Sequence, residues 1–208
     1  MYRSFLIFLL FLIILSSSVL FAQERHINGY FPVNNYTSDD FNSPSQIWCG
    51  TQVEYGVFLF GNERKILRFN GKDWSFIHKN PEDSTYTKDQ IEEKTVRSFY
   101  ISSDSTCYVA RDHSLGKIHY NNSGEHVYSP FHYDELLTKV WSIYEDKKNL
   151  IYFVSTSVIL VYNPANNTTK EVNLVKSISD GEIQTSIAVE DGILLCMKYK
   201  KGSLINLY

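Results

Sequence analysis

The chain has 208 residues, 43% hydrophobic and 15% aromatic, with a formal net charge of −3 at pH 7. That length holds one medium-sized domain, and the apolar content excludes a wholly disordered chain. No basic block occurs, so the electrostatic footprint of a nucleic-acid binder is missing and no nucleic-acid partner is expected.

The first residues read "MYRSFLIFLLFLIILSSSVLFAQ". Arg3 supplies a positive start, Phe5 to Leu15 is unbroken apolar sequence, and "SSSVLFA" places the small Ala22 before Gln23. This is the three-part plan of a secretory signal peptide over residues 1–22. The apolar run is about 11 residues, short of the roughly 20 that span a bilayer. The pattern predicts export to the periplasm or beyond.

After the leader, "QIWCGTQVEYGVFLFGNERKILRFNGKDWSFI" begins at Gln46 and ends at Ile77. Short apolar-aromatic runs are broken by Gly56, Gly61-Asn62 and Asn70-Gly71. An Asn-Gly pair between two such runs is a strong hairpin signal, because both residues tolerate positive φ. The stretch predicts four short strands. "EDSTYTKDQIEEKT", Glu82 to Thr95, follows as a polar interruption and is read as a solvated surface loop.

The plan then returns. It recurs in "VRSFYISSDSTCYVARDHSLGKIHYNNSGEHVYSPF", in "VWSIYEDKKNLIYFVSTSVILVYNPANNTTKEVNL", and in "IQTSIAVEDGILLCMKYKKGSLINLY". The units open at Ile47, Val96, Val140 and Ile183, a period of roughly 43 to 49 residues that marks four-stranded propeller blades. In the first three the third strand closes on an aromatic followed by asparagine, at Phe69-Asn70, Tyr120-Asn121 and Tyr162-Asn163. One four-stranded sheet cannot cover both of its faces, whereas stacked blades can. The expected fold is all-β: a β-propeller with blades at roughly 46–80, 96–132, 140–175 and 183–208. The fourth unit has room for three strands, so the propeller is read as incomplete, about four blades of a larger ring.

The stretch from Asn28 to Trp74 resembles the opening of the periplasmic sensor domains of two-component-regulator propeller proteins. The residues that carry the likeness are Gly29, Pro32, Tyr36, Phe41, Ser45-Gln46-Ile47-Trp48, Phe60-Gly61-Asn62, Phe69-Asn70-Gly71 and Trp74; "VWSIYEDKKNLIYF" adds to it. The resemblance implies an extracytoplasmic ligand-sensing module of a two-component-type regulator. In such proteins a ring of about seven blades precedes a membrane helix and a signalling output domain. On that basis the partners are the missing blades and a downstream signalling domain; the completed propeller is expected to be monodisperse or a defined dimer. The alternative is a secreted, closed four-bladed propeller that binds carbohydrate or acts as an enzyme. Cys49 in the first unit and Cys196 in the fourth would suit the cross-link of hemopexin-like rings.

Propellers bind ligands where innermost strands end. The residue after each unit's apolar opener is Trp48, Arg97, Trp141 and Gln184. Equivalent positions point the same way, so these four are the candidate ligand-binding set. Indole faces stack on flat surfaces, and Arg and Gln orient hydrogen bonds, which suits a small polar ligand of the carbohydrate type. The competing reading assigns the tryptophans to blade packing. No catalytic residue, metal site or cofactor is expected, and the chain is not read as an enzyme. His113, His119, His126 and His132 are spaced too widely for a compact ligand set. Asp112-His113-Ser114 is read as a turn rather than a triad, since triads are assembled from separate segments. Cys49, Cys107 and Cys196 sit in apolar contexts and read as small hydrophobes.

Overall fold

The computed structural model describes residues 33–81, 94–131, 139–172, 181–189, 192–199 and 202–207. The leader at 1–22, most of the 82–95 segment and His132 lie outside them. The chain divides into two units, Met1–Asn35 and Tyr36–Tyr208, and every element below belongs to the second.

Among the described residues a short helix α1 (Ser38–Phe41) precedes fifteen strands. Blade 1 contains β1 (Ile47–Glu54), β2 (Val57–Asn62), β3 (Ile66–Phe69) and β4 (Trp74–Lys79). Blade 2 contains β5 (Val96–Ile101), β6 (Cys107–Arg111), β7 (Ser114–Tyr120) and β8 (His126–Pro130). Blade 3 contains β9 (Val140–Glu145), β10 (Ile151–Ser155), β11 (Ile159–Asn163) and β12 (Thr168–Val172). The fourth unit contains β13 (Glu182–Val189), β14 (Gly192–Tyr199) and β15 (Gly202–Leu207). Each unit is an antiparallel meander in chain order. Blades 1 and 2 also meet edge to edge: β4 and β8 pair in parallel over His78↔Val127 and Lys79↔Tyr128, so the eight strands form one sheet.

The recurring asparagine corner has a chemical cause. Asn70 Oδ1 accepts the Lys72 and Asp73 amides at 3.0 and 2.7 Å. Asn121 Oδ1 accepts those of Ser123 and Glu125 at 3.0 and 2.8 Å, and Asn163 Oδ1 accepts that of Ala165 at 3.0 Å. Each side chain satisfies turn amides that the ladder leaves free. Gly71 follows the first of these corners at φ 89°, a conformation in which a Cβ is costly.

Burial shows why the blades stack. Every residue of β6 is buried, so both of its faces are covered. Cys107 and Val109 join Leu59, Ile66 and Val96 in the core between blades 1 and 2. Their alternates Tyr108 and Ala110 join Phe131, Val140, Phe153 and Tyr162 in the core between blades 2 and 3. Residue alternation along one strand therefore serves two interfaces. A third core, of Val154, Ile159, Ile183, Ile193, Leu195 and Met197, lies between blade 3 and the fourth unit. The result is a β-propeller arrangement of stacked blades.

Blades 1 and 2 approach closely at Gly61 of β2. A Cβ there would lie 2.6 Å from both Cys49 Sγ on β1 and Val96 Cγ1 on β5, so a side chain would push β5 away from blade 1. Cys49, Cys107 and Cys196 are free thiols, with no cross-link between Cys49 and Cys196. Cys107 is buried and the other two are half-buried.

Candidate functional site

The innermost strands form a row: β1 lies against β5, β5 against β9, and β9 against β13. Each carries the same irregularity near its start. In β1 the register jumps from Ile47↔Asn62 to Cys49↔Gly61, leaving Trp48 as the extra residue. In β5 it jumps from Val96↔Arg111 to Ser98↔Ala110, leaving Arg97. In β9, Val140↔Ser155 and Ser142↔Val154 leave Trp141. In β13, Ile183↔Met197 and Thr185↔Cys196 leave Gln184. The four residues singled out by sequence are thus four β-bulges in equivalent places. A bulge re-aims a side chain that the pleat would otherwise hold in the alternating pattern. The preceding openers Val96, Val140 and Ile183 are buried at 0, 0 and 2% exposure, while Trp48 and Trp141 are 42 and 40% exposed. Gln184 is exposed as well.

Three of the four come together. The Arg97 guanidinium carbon lies 4.7 Å from the Trp48 ring centroid and 5.3 Å from that of Trp141. The cation therefore bridges indoles from blades 1 and 3, each contact contributing about 0.5–1 kcal/mol where exposed. Gln184 holds the matching position on the fourth unit.

Arg97 is oriented by a residue that sequence reasoning left as a turn. Its Nε–H and Nη2–H donate to the two carboxylate oxygens of Asp112 at 2.8 and 2.9 Å, a bidentate pairing that fixes the plane of the guanidinium. Asp112 sits in the two-residue β6–β7 turn, anchored by its amide donating to Thr95 O at 2.8 Å. His113 beside it takes φ 58°. Burial pushes the Asp112 carboxyl up, but the hydrogen bonds and charge of Arg97 outweigh it and leave its pKa below the ordinary value. The β5–β6 register sets Asp112 opposite Thr95, past the Val96–Arg111 pair, and the Arg97 side chain reaches it from the bulge.

The neighbouring turn adds positive charge. Arg111 is 5% exposed, donates from Nη2 to the carbonyls of Arg64 and Lys94 at 3.3 and 3.4 Å, and stands 5.4 Å from the Tyr128 ring. Lys94 Nζ donates to His113 O at 3.2 Å; burial, and then the charge of Arg111, lower its pKa.

Other candidate chemistry does not converge here. Among the described residues no group of three or more His, Cys, Asp or Glu could hold a metal ion. Burial pushes the Cys49 and Cys107 thiols up to about 12, so both stay protonated and weakly nucleophilic at neutral pH. Asp112 and His113 form the turn and Ser114 opens β7: Asp112 pairs with Arg97, while Ser114 Oγ lies 2.7 Å from Tyr128 Oη.

Stacked four-stranded blades with one bulged residue per inner strand define a propeller with a composite surface at one end of its inner strands. The structure is similar to that of the extracellular domain assigned to a hybrid two-component system of B. thetaiotaomicron, with a TM-score of 0.57 and 13% identity over 83% of this chain and 22% of that one. It is also similar to virginiamycin B lyase from Staphylococcus aureus, with a TM-score of 0.50 and 15% identity over 78% of this chain and 55% of that one. The chain thus spans about a fifth of the first and about half of the second. No family model and no curated protein matches the sequence. At these identities the likeness concerns the fold, which a signalling ectodomain and a lyase share. The first likeness falls on the group of proteins that the sequence motifs resemble.

Proposed function

We propose that this chain is a ligand-sensing propeller module of a two-component-type regulator, working outside the cytoplasm. Its ligand is a small polar molecule of the carbohydrate class, received by Trp48, Arg97, Trp141 and Gln184. The observation that carries the reading is the repeated bulge, which turns one large or polar side chain per blade out of the inner strands. Exposed indole surface offers a stacking platform to sugar rings, and a guanidinium pinned by Asp112 offers donors in a fixed plane. The signal-peptide pattern and the extracellular domain among the structural neighbours support the location. The remaining blades of a larger ring and a downstream signalling domain are the partners, in a dimer.

The test is calorimetric titration of the whole extracytoplasmic region with oligosaccharides of differing composition. One class should bind, and Trp48→Ala and Arg97→Ala should each weaken it by about tenfold or more, equivalent to about 1.4 kcal/mol. Undiminished binding in both variants, or no binding by any sugar, rejects the reading.

A further inference from the structure

The other end of the same two blades holds a second set of ionisable groups. From the bulge at Trp48, β1 continues to Glu54, about 20 Å away at the rise of an extended strand. There Glu54 Oε1 accepts the Tyr120 hydroxyl at 2.6 Å and lies 3.9 Å from His126 Nε2. The Tyr120 and His126 rings stack at 4.2 Å between centroids. From β3, Arg68 Nε–H donates to His126 Nδ1 at 3.3 Å. Glu54 and Arg68 belong to blade 1, Tyr120 and His126 to blade 2, so each contact except the ring stack crosses between blades. The His126 side chain is 8% exposed. It directly precedes Val127 and Tyr128, the two residues of the parallel β4–β8 pairing, which Asn80 extends by donating its amide to Tyr128 O at 2.9 Å. His78 and Lys79 stand across that pairing. A cleft of about 350 Å³ beside the histidine is also lined by Asp104, Lys117 and His119.

This geometry selects one protonation state. A guanidinium only donates, so Nδ1 must be the acceptor. The imidazole is then neutral, with its proton on Nε2 facing Glu54. We propose that His126 is a pH-sensitive latch between blades 1 and 2, closed while the imidazole is neutral and opened when a second proton enters at Nδ1. That proton removes the acceptor for Arg68 and sets two cations against each other beside the two-pair β4–β8 ladder, the shortest strand pairing among the described residues. Glu54 offsets part of this from the other side of the ring.

Burial lowers the His126 pKa from its ordinary value, Glu54 pulls it up, and Arg68 adds to the lowering; the net direction is down. For a depressed folded-state pKa, the stabilisation is complete above the unfolded value, roughly 6.5, and is lost as the pH falls through the folded value. The latch therefore holds at neutral pH and opens in acid.

The experiment is an NMR titration of the full chain labelled at histidine, with His126→Gln identifying the resonance. The His126 midpoint should lie below the free-histidine value. Arg68→Met should raise it and Glu54→Gln should lower it further, each by up to roughly one pH unit. Glutamine keeps a neutral acceptor for Arg68, so the His126→Gln variant should lose the part of the fall in Tm that the parent shows between about pH 7 and pH 5. An unshifted midpoint in Arg68→Met, or the parent's full pH dependence in His126→Gln, overturns the proposal. Should Arg68→Met fail to fold, a parent midpoint at or above the free-histidine value overturns it alone.

Discussion

Two tryptophan settings in this molecule invite comparison. Trp74, at the start of β4, is enclosed: Tyr36, Phe41, Phe60 and Phe69 lie at ring-centroid distances of 5.4, 5.2, 5.6 and 4.7 Å. Trp48 and Trp141, on the bulges of the inner strands, share the Arg97 guanidinium and remain about two-fifths exposed. Aromatic pairs at such distances contribute about 0.5–1.5 kcal/mol beyond area burial, so the first setting holds the blade together. The second leaves indole surface unspent. The same residue type does two jobs, and what separates them is whether the backbone keeps the pleat or breaks it.

The largest expected effect belongs to the enclosed setting. Trp74→Ala should cost about 3 kcal/mol, read as a lower urea midpoint at unchanged slope. A midpoint equal to the parent's would erase the distinction between the settings. Gly61→Ala comes next: its methyl collides with Cys49 and Val96 beneath the site, an overpacking that costs about 2 kcal/mol. Because Val96 precedes Arg97, the emission of Trp48 and Trp141 should shift as well, measured in a Trp74→Phe background.

Removing the shared cation tests the exposed setting. Arg97→Met should cost about 1 kcal/mol through its ring contacts and make those two tryptophans more accessible to acrylamide quenching. Unchanged quenching would mean that Arg97 does not cover the rings in solution. The smallest effect is a pH dependence. Asp112 has a folded pKa below its ordinary value, so its contribution is present above roughly pH 4 and lost as the pH falls through the folded value. The stability difference between the parent and Asp112→Asn should therefore narrow in acid; a constant difference would show that Asp112 acts by shape and not by charge.

The sequence was enough for the repeated meander, because turns are local. Asn70-Gly71, Asn121 and Asn163 satisfy their own amides within four residues. The apolar context of Cys107 likewise pointed to a buried thiol, although the full enclosure of its strand depends on two neighbouring blades. The equivalence of Trp48, Arg97, Trp141 and Gln184 was legible from their place after each opener. That they are bulged was not, since a bulge is a mismatch between two strands and is invisible in either one.

Tertiary structure alone decided who meets whom. Arg97 reaches indoles from two other blades, Arg68 reaches His126 across 58 positions, and β4 finds β8 in parallel although the pairs within each blade are antiparallel. Such contacts depend on how one blade seats on the next. That seating is set by the summed shape of the interleaved cores, with Gly61 as one of its narrowest points. Local chemistry writes the strands and corners of this protein, and non-local packing determines which side chains share a surface.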